Sequence, residues 1–189
     1  KPLPIESIVR NYLIGSGYSE YLSSGSICNI ELPKNLKMAS KLPELLFTPS
    51  SKAEIGSHDV NISFEKMSEV VGQDMSEKIK EISFKIFKKA SDYLITKNII
   101  LADTKFEFGL CDNGNLVLMD EVLTSDSSRF WISESYQEGV SPESLDKQFI
   151  RDYVKSISWD DSMPPPELPD DIVCKTFEKY KDLNRILTD

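Results

Sequence analysis

Histidine is almost absent: the 189 residues contain one, His58. A zinc centre built on several histidines is therefore excluded, and Ser-His-Asp chemistry has at most one candidate base. Cysteine is scarce as well. Cys28, Cys111 and Cys174 lie far apart with no CxxC pair. An odd count at that spacing points to reduced thiols in a cytoplasmic protein rather than to a disulfide frame. No cysteine adjoins His58 in sequence, so cysteine-nucleophile chemistry finds no support. The chain lacks an apolar run of about 18 residues, which removes a membrane-spanning helix, and it lacks a signal-peptide pattern. It also lacks a basic excess. With 22 Lys+Arg against 31 Asp+Glu, the formal net charge is −9. That balance argues against a general nucleic-acid binder, which needs clustered cations for the phosphate backbone.

What is present describes a folded chain: 40% of residues are hydrophobic and 28% charged. The length suits one domain, which buries roughly 70% of the surface its unfolded chain exposes. The chain opens Lys1-Pro2-Leu3-Pro4-Ile5 with no initiator methionine and enters an apolar segment at once. The expectation is a piece of a longer protein.

Periodicity outlines an α+β organisation. Ile5 to Ile14 reads as a strand interrupted by Gly15-Ser16-Gly17, and Tyr18 to Leu22 as a short helix ending near Gly25. Residues 31 to 59 read mainly as loop. Ser63 is a candidate N-cap for a helix Phe64 to Val71 closed by Gly72. Asp74 and Glu77 match a capping box for a longer helix to about Lys97, whose stripe is Met75, Ile79, Ile82, Ile86, Ala90 and Tyr93, widened by Phe87 and Leu94. Ile99 to Gly109 and Asn115 to Leu123 alternate like two strands of a hairpin around Asn113-Gly114. Helical patterns follow over Asp146 to Ser156 and Asp170 to Leu187, separated by Pro164-Pro165-Pro166.

The hairpin is the most informative feature. A two-residue turn at Asn113-Gly114 places Glu107 opposite Asp120, and alternation puts Asp103, Lys105 and Glu107 on one face. Facing carboxylates repel unless the face is fully solvated or a cation lies between them. Oxygen ligands alone suit Mg²⁺; the other reading is an exposed face neutralised by Lys105. Arg10 followed by Gly15-Ser16-Gly17 offers a guanidinium and exposed N–H groups to a phosphate, or is an ordinary turn. Asp126-Ser127-Ser128-Arg129 lies directly after the second strand, suited to a site and equally to a loop. His58-Asp59 is an acid–base pair or a structural contact, and the charges of Asp146 to Asp152 are a candidate solvated helix face.

In combination these segments carry more weight. Val9-Arg10-x-Tyr12-x-x-Gly15-Ser16, Phe47-Thr48-Pro49-Ser50-Ser51-Lys52-Ala53-Glu54, His58-Asp59-x-Asn61-Ile62-Ser63, Ala102 to Gly109, Asp120-Glu121-Val122-Leu123-Thr124 with Asp126 to Trp131, and Asp146-Lys147-Gln148-Phe149-x-Arg151-Asp152 follow in this order. The chain resembles the SAICAR synthetases, the phosphoribosylaminoimidazole-succinocarboxamide synthases of purine biosynthesis, and looks closest to fungal-type members. The resemblance implies an α+β fold related to ATP-grasp and kinase-like two-lobe architectures, with an antiparallel sheet packed by helices. It implies an ATP-dependent ligase joining L-aspartate to carboxyaminoimidazole ribonucleotide with Mg²⁺, and neither nucleic-acid nor membrane partners. By the same resemblance Glu107 and Asp120 are the metal acids and Lys105 stands beside the transferred phosphoryl group. Arg10, Ser16 and Arg129 hold the ribonucleotide 5′-phosphate, Lys52 and Asp59 cover imidazole and aspartate, and Arg151 is a further anion contact. Nothing here matches the family's N-terminal, Gly-rich, lysine-containing lobe over ATP. Residues 1–189 are therefore expected to be the C-terminal acceptor-substrate and metal-binding lobe, with the missing N-terminal lobe as its partner and no turnover by itself. The competing expectation is a nucleotide- or phosphate-binding module without catalysis.

Overall fold

The structure, a computed structural model, describes residues 1–52, 59–159 and 164–188. In chain order the elements are β1 (Pro2–Tyr12), α1 (Gly15–Ser24), β2 (Ser26–Ile27), β3 (Ile30–Glu31), β4 (Lys41–Phe47), β5 (Ser50–Ser51) and β6 (Val60–Asn61). There follow α2 (Phe64–Val71), α3 (Gln73–Ile95), β7 (Ile99–Leu110), β8 (Leu116–Met119), β9 (Ser128–Ile132), α4 (Gln148–Ser156) and α5 (Asp170–Thr188).

Two long strands organise the sheet. β1 and β7 run antiparallel, pairing Glu6 with Glu107, Ile8 with Lys105 and Arg10 with Asp103. Each is long enough to take two partners on its other side. β1 meets β5 at Ile5 and Glu6, and β4 from Val9 to Tyr12. β7 meets β9 from Ile99 to Thr104, and β8 from Glu107 to Leu110. Period-2 alternation then separates the faces. Ile5, Val9, Phe106 and Phe108 point into the main core with Phe47, Leu101 and Phe130, covered by α2, α3 and the end of α5. Glu6, Ile8, Arg10, Asp103 and Lys105 point the other way and line a cavity.

The helices start and stop where the local chemistry dictates. Gly25 closes α1 in the left-handed conformation, its N–H returning to Tyr21 O. Ser63 caps α2 by accepting the Lys66 N–H at 3.2 Å. The expected capping box does not form: α3 starts at Gln73, so Asp74 is already inside its first turn and favours the helix through its charge. The buried line of α3 is Ser76, Ile79, Ser83, Phe87 and Leu94: Ile79, Phe87 and Leu94 belong to the expected stripe, and two serines share the buried side. Met75, Ile82, Ile86 and Ala90 flank it, and Tyr93 is half exposed.

Three further expectations are corrected. β4 and β5 occupy part of the stretch read as loop, because their partner is the distant β1 and pairing, not periodicity, makes them strands. Ser128 to Ile132 is a strand, not the loop after one. The hairpin of β7 and β8 has a different register. Gly114 N–H bonds Cys111 O at 2.8 Å and Cys111 N–H bonds Asn115 O at 3.0 Å. With Gly114 at φ +79°, this is a three-residue loop that ends in a left-handed glycine. The extra residue moves the pairing by one, so Glu107 faces Met119 instead of Asp120.

Candidate active site

The site is built on the sheet face opposite α3, in two charged rows. In the upper row the guanidinium of Arg10 lies fully buried. Its Nη1 donates to Asp103 Oδ2 at 3.2 Å, its Nε to Thr48 Oγ1 at 2.9 Å and its Nη2 to Ser16 Oγ at 3.1 Å. Arg129, from β9, donates to the same Asp103 oxygen at 2.6 Å. One carboxylate thus orients two arginines, and the row keeps an excess of positive charge. Burial lowers the Arg10 pKa, with Asp103 opposing.

The lower row sets two carboxylates against two ammoniums. Glu6 and Glu107 are cross-strand neighbours. Lys105 Nζ bridges them, at 2.7 Å from Glu6 and 3.1 Å from Glu107. Lys52 Nζ pairs with the other Glu107 oxygen, and Ser50 Oγ donates to Glu6 Oε2 at 3.2 Å. Burial disfavours the Lys105 charge, but hydrogen bonds and charge from Glu6 and Glu107 outweigh it and hold its pKa above the ordinary lysine value. Burial likewise opposes ionisation of Glu107, yet Lys52 and Lys105 pull its pKa below the usual carboxylate range.

Above these rows lies the start of α1. Its N-cap, Ile14, makes no side-chain cap, so first-turn N–H groups remain available beside Ser16. Gly15 is required there twice over. Its φ is +60°, and a Cβ would come within 2.5 Å of Arg129 Nη2. On the far side Arg151 of α4 donates to Asp146 Oδ1 at 2.7 Å. Asp146 is fully buried, also accepts the Phe130 N–H at 3.3 Å and pairs with Ser144 Oγ. Burial raises the Asp146 pKa, with Ser144 and Arg151 opposing.

A cavity of about 260 Å³ brings Arg10, Ser16, Asp59, Lys105, Arg129 and Arg151 together with Asp126 and Lys147. A second of about 370 Å³ shares Arg129 and Arg151, and a third of about 450 Å³ shares Glu6, Ser16 and Asp59. Lys52 and Glu107 join through the ion pairs of the lower row. Asp120 does not join in the expected way. It follows β8 at φ +62°, exposed, outside the linings of these cavities. Glu107 and Asp120 are therefore not cross-strand partners, because the hairpin register sets Met119 opposite Glu107. His58 lies outside the described residues.

Glu6, Thr48, Asp103 and Asp146 complete the site but are not among the residues singled out from the sequence for it. Glu6 gave no local signal, since its role depends on pairing with a strand about a hundred residues away. Glu6 and Glu107 carry the oxygen donors a hard divalent cation takes, but Lys105, Lys52 and Ser50 engage all four of those oxygens; no histidine or cysteine lines the cavity among the described residues. Among those residues no cluster of three or more acids, histidines or cysteines forms a ready-made metal cage. No helix of the described residues is long and apolar enough to cross a membrane.

An antiparallel sheet carrying the buried Arg10 and the partly exposed Arg129 beside a helix N-terminus, next to a lysine-bridged carboxylate pair, has the donors suited to an anionic ligand. The particular family is shown by comparison. The SAICAR synthetase family model matches residues 1–166, and the chain belongs to that family. It is 52% identical over 187 residues to a phosphoribosylaminoimidazole-succinocarboxamide synthase of Histophilus somni, covering 99% of this chain and 65% of that protein. A SAICAR synthase of Saccharomyces cerevisiae, solved complexed with SAICAR, superposes with a TM-score of 0.84 at 42% identity, over 100% of this chain and 61% of that one. A type-2 SAICAR synthetase in complex with ADP gives a TM-score of 0.70 at 29% identity, over 100% of this chain and 64% of that one. The chain thus spans a little under two thirds of the relatives it matches. A leaning toward fungal-type sequences finds no support in these figures, since the bacterial relative is the more similar.

Proposed function

We propose that this chain provides the acceptor-substrate and metal-binding part of an ATP-dependent ligase. The reaction joins L-aspartate to the carboxylate of carboxyaminoimidazole ribonucleotide and gives SAICAR, ADP and phosphate. A carboxylate is a poor acyl donor because attack would have to expel oxide. Phosphorylation removes that obstacle: a carboxylate oxygen attacks the γ-phosphorus of ATP and ADP leaves. The aspartate nitrogen then attacks the acyl carbon, loses a proton, and inorganic phosphate departs.

The observation that carries this reading is the row Arg10–Asp103–Arg129 with Ser16, under the open first turn of α1. Buried guanidiniums held by one shared carboxylate form a preorganised seat for a dianionic 5′-phosphate. Arg151, fixed by Asp146, adds a cation at the adjoining cavity. Lys105 stands on the same face, one strand row from Asp103, where it can neutralise the phosphoryl group in transit. Lys52 and Asp59 are assigned to the imidazole and the aspartate on the family resemblance, and Asp59 lines the same cavity as Arg10. Glu107 and Asp120 are the residues assigned to hold Mg²⁺, now on the family resemblance and not on the hairpin; Mg²⁺, when bound, offsets charge on the nucleotide phosphates. The SAICAR and ADP complexes of the relatives agree with these ligand classes.

Calorimetric titration tests both halves. SAICAR should bind the wild-type chain, and Arg10→Ala should weaken it at least tenfold. Mg-ADP should lose affinity in Asp120→Asn. Equal Mg-ADP affinity in wild type and variant removes the metal role of Asp120, and unaltered SAICAR affinity removes Arg10 from the phosphate seat.

A further inference from the structure

The C-terminal helix α5 reaches the site through one hydroxyl. Tyr180 donates to Asp126 Oδ1 at 2.7 Å, across 54 residues of chain. Asp126 lines the 260 Å³ cavity together with Lys147, whose ammonium lies 3.8 Å from the same oxygen. The loop that carries Asp126 is stitched to the segment before α4: Ser125 Oγ donates to Leu145 O at 3.2 Å, and Lys147 N–H to Ser125 O at 3.4 Å. These bonds fix the backbone but leave the Asp126 side chain about half exposed, with a rotamer for the Tyr180 hydroxyl to select. All of α5 lies beyond the 166 residues that the family model matches.

Helix α5 does not depend on this bond for its position. Leu183 is buried in the main core with Ile186 and Leu187 against it, and Lys179 pairs with Glu143 at 2.8 Å. Tyr93 of α3 donates to Leu187 O at 3.1 Å. The helix is thus a fixed post, and the Tyr180 hydroxyl is the group it presents to the cavity rim. Burial and the Asp126 carboxylate both raise the phenol pKa above its ordinary value, so it remains a donor throughout the neutral range.

We propose that Tyr180 is a positioning residue: its hydroxyl orients Asp126, and through Asp126 the ammonium of Lys147, so that α5 sets the geometry of the cation-rich end of the acceptor site. This rests on the functional reading above, because the ligand whose anionic groups would meet Lys147 is the one proposed there.

The test is a double-mutant cycle read by calorimetry with SAICAR, using Tyr180→Phe, Asp126→Ala and both together in the full chain. Tyr180→Phe keeps the ring and removes only the hydroxyl, and Asp126→Ala removes its acceptor. Expected is a five- to twentyfold loss of SAICAR affinity in the wild-type background and none in the Asp126→Ala background. Tyrosine NMR titration on the same proteins should show the Tyr180 phenol pKa falling toward about 10 in Asp126→Ala. A role confined to packing would give equal losses in both backgrounds, and that result overturns the proposal, as does no loss at all or a phenol indifferent to Asp126→Ala. Failure of the wild type to bind SAICAR instead overturns the functional reading, and this role with it.

Discussion

Glu6 and Glu107 face each other across the two central strands, and the ammonium of Lys105 lies between them. Carboxylates directly opposite on one sheet face destabilise it, so the lysine is structural before it is chemical. Lys105→Met leaves two largely buried acids with Lys52 as the remaining cation. The expected loss is about 1–3 kcal/mol in urea unfolding, the scale of a buried group left without its partner. Adding Glu6→Gln to that variant should return part of the loss. A Lys105→Met protein as stable as wild type would show that the facing acids need no bridge.

The same pair shapes the response to acid. Glu107 titrates below its ordinary value in the folded state because Lys52 and Lys105 outweigh burial. The folded state therefore binds fewer protons than the unfolded one. The stabilisation is complete above the unfolded value of about 4.3 and is lost as pH falls through the lower folded value. Asp146 has the opposite sign. Burial raises its pKa, so stability declines as pH rises from about 3.9 through its folded value. Urea midpoints measured from pH 3 to 7 should fall on the acid side, and Glu107→Gln should flatten that fall. An unchanged acid limb would remove Glu107 as its cause.

The residues of the site are legible in sequence where chemistry is local and illegible where it depends on distant pairing. Gly15-Ser16 after Arg10 reads as a candidate anion seat or a plain turn because small residues and a guanidinium lie within one short segment, and the structure joins them by the Arg10–Ser16 bond. Ser63, Gly25 and Gly72 mark helix ends for equally local reasons. The carboxylate partner of Glu107 is a different matter. Asn-Gly suggests a two-residue turn, and the actual three-residue loop shifts the register by one, which exchanges Asp120 for Met119. The true facing acid, Glu6, arrives from β1, and no short-range pattern announces which strand becomes the neighbour of β7. β9 escapes notice for the same reason: five residues with charge at Arg129 look like loop until β7 supplies the ladder.

Gly15 is predicted to be intolerant of any side chain. Alanine at φ +60° costs about 1–2 kcal/mol through the left-handed backbone alone. The new methyl would also meet the Arg129 guanidinium and push it off Asp103. Gly15→Ala should therefore lose stability and, in addition, bind SAICAR more weakly. Arg129→Met separates the two effects, since it removes the cation without altering the turn. If Gly15→Ala is destabilised but binds SAICAR like wild type, the glycine serves the turn and not the arginine.

Asp103 accepts from both Arg10 and Arg129, and its removal makes the most discriminating variant. Asp103→Asn keeps the shape but leaves two guanidiniums together, one of them fully buried. Breaking a buried pair from one side typically costs about 3–5 kcal/mol. An anion bound between the arginines restores the missing charge, so the variant should regain stability with added phosphate. The gain follows RT ln(1 + [L]/Kd), which reaches about 2.7 kcal/mol when phosphate is at a hundred times its Kd. Thermal unfolding in rising inorganic phosphate, at constant ionic strength set with chloride, should raise the midpoint of Asp103→Asn more steeply than that of wild type. The variant carries one more uncompensated positive charge in this row than wild type and should draw the anion more strongly, which is why the slopes should differ. Equal slopes would mean that phosphate does not enter this row, and the seat for the 5′-phosphate would have to be sought at Arg151 instead.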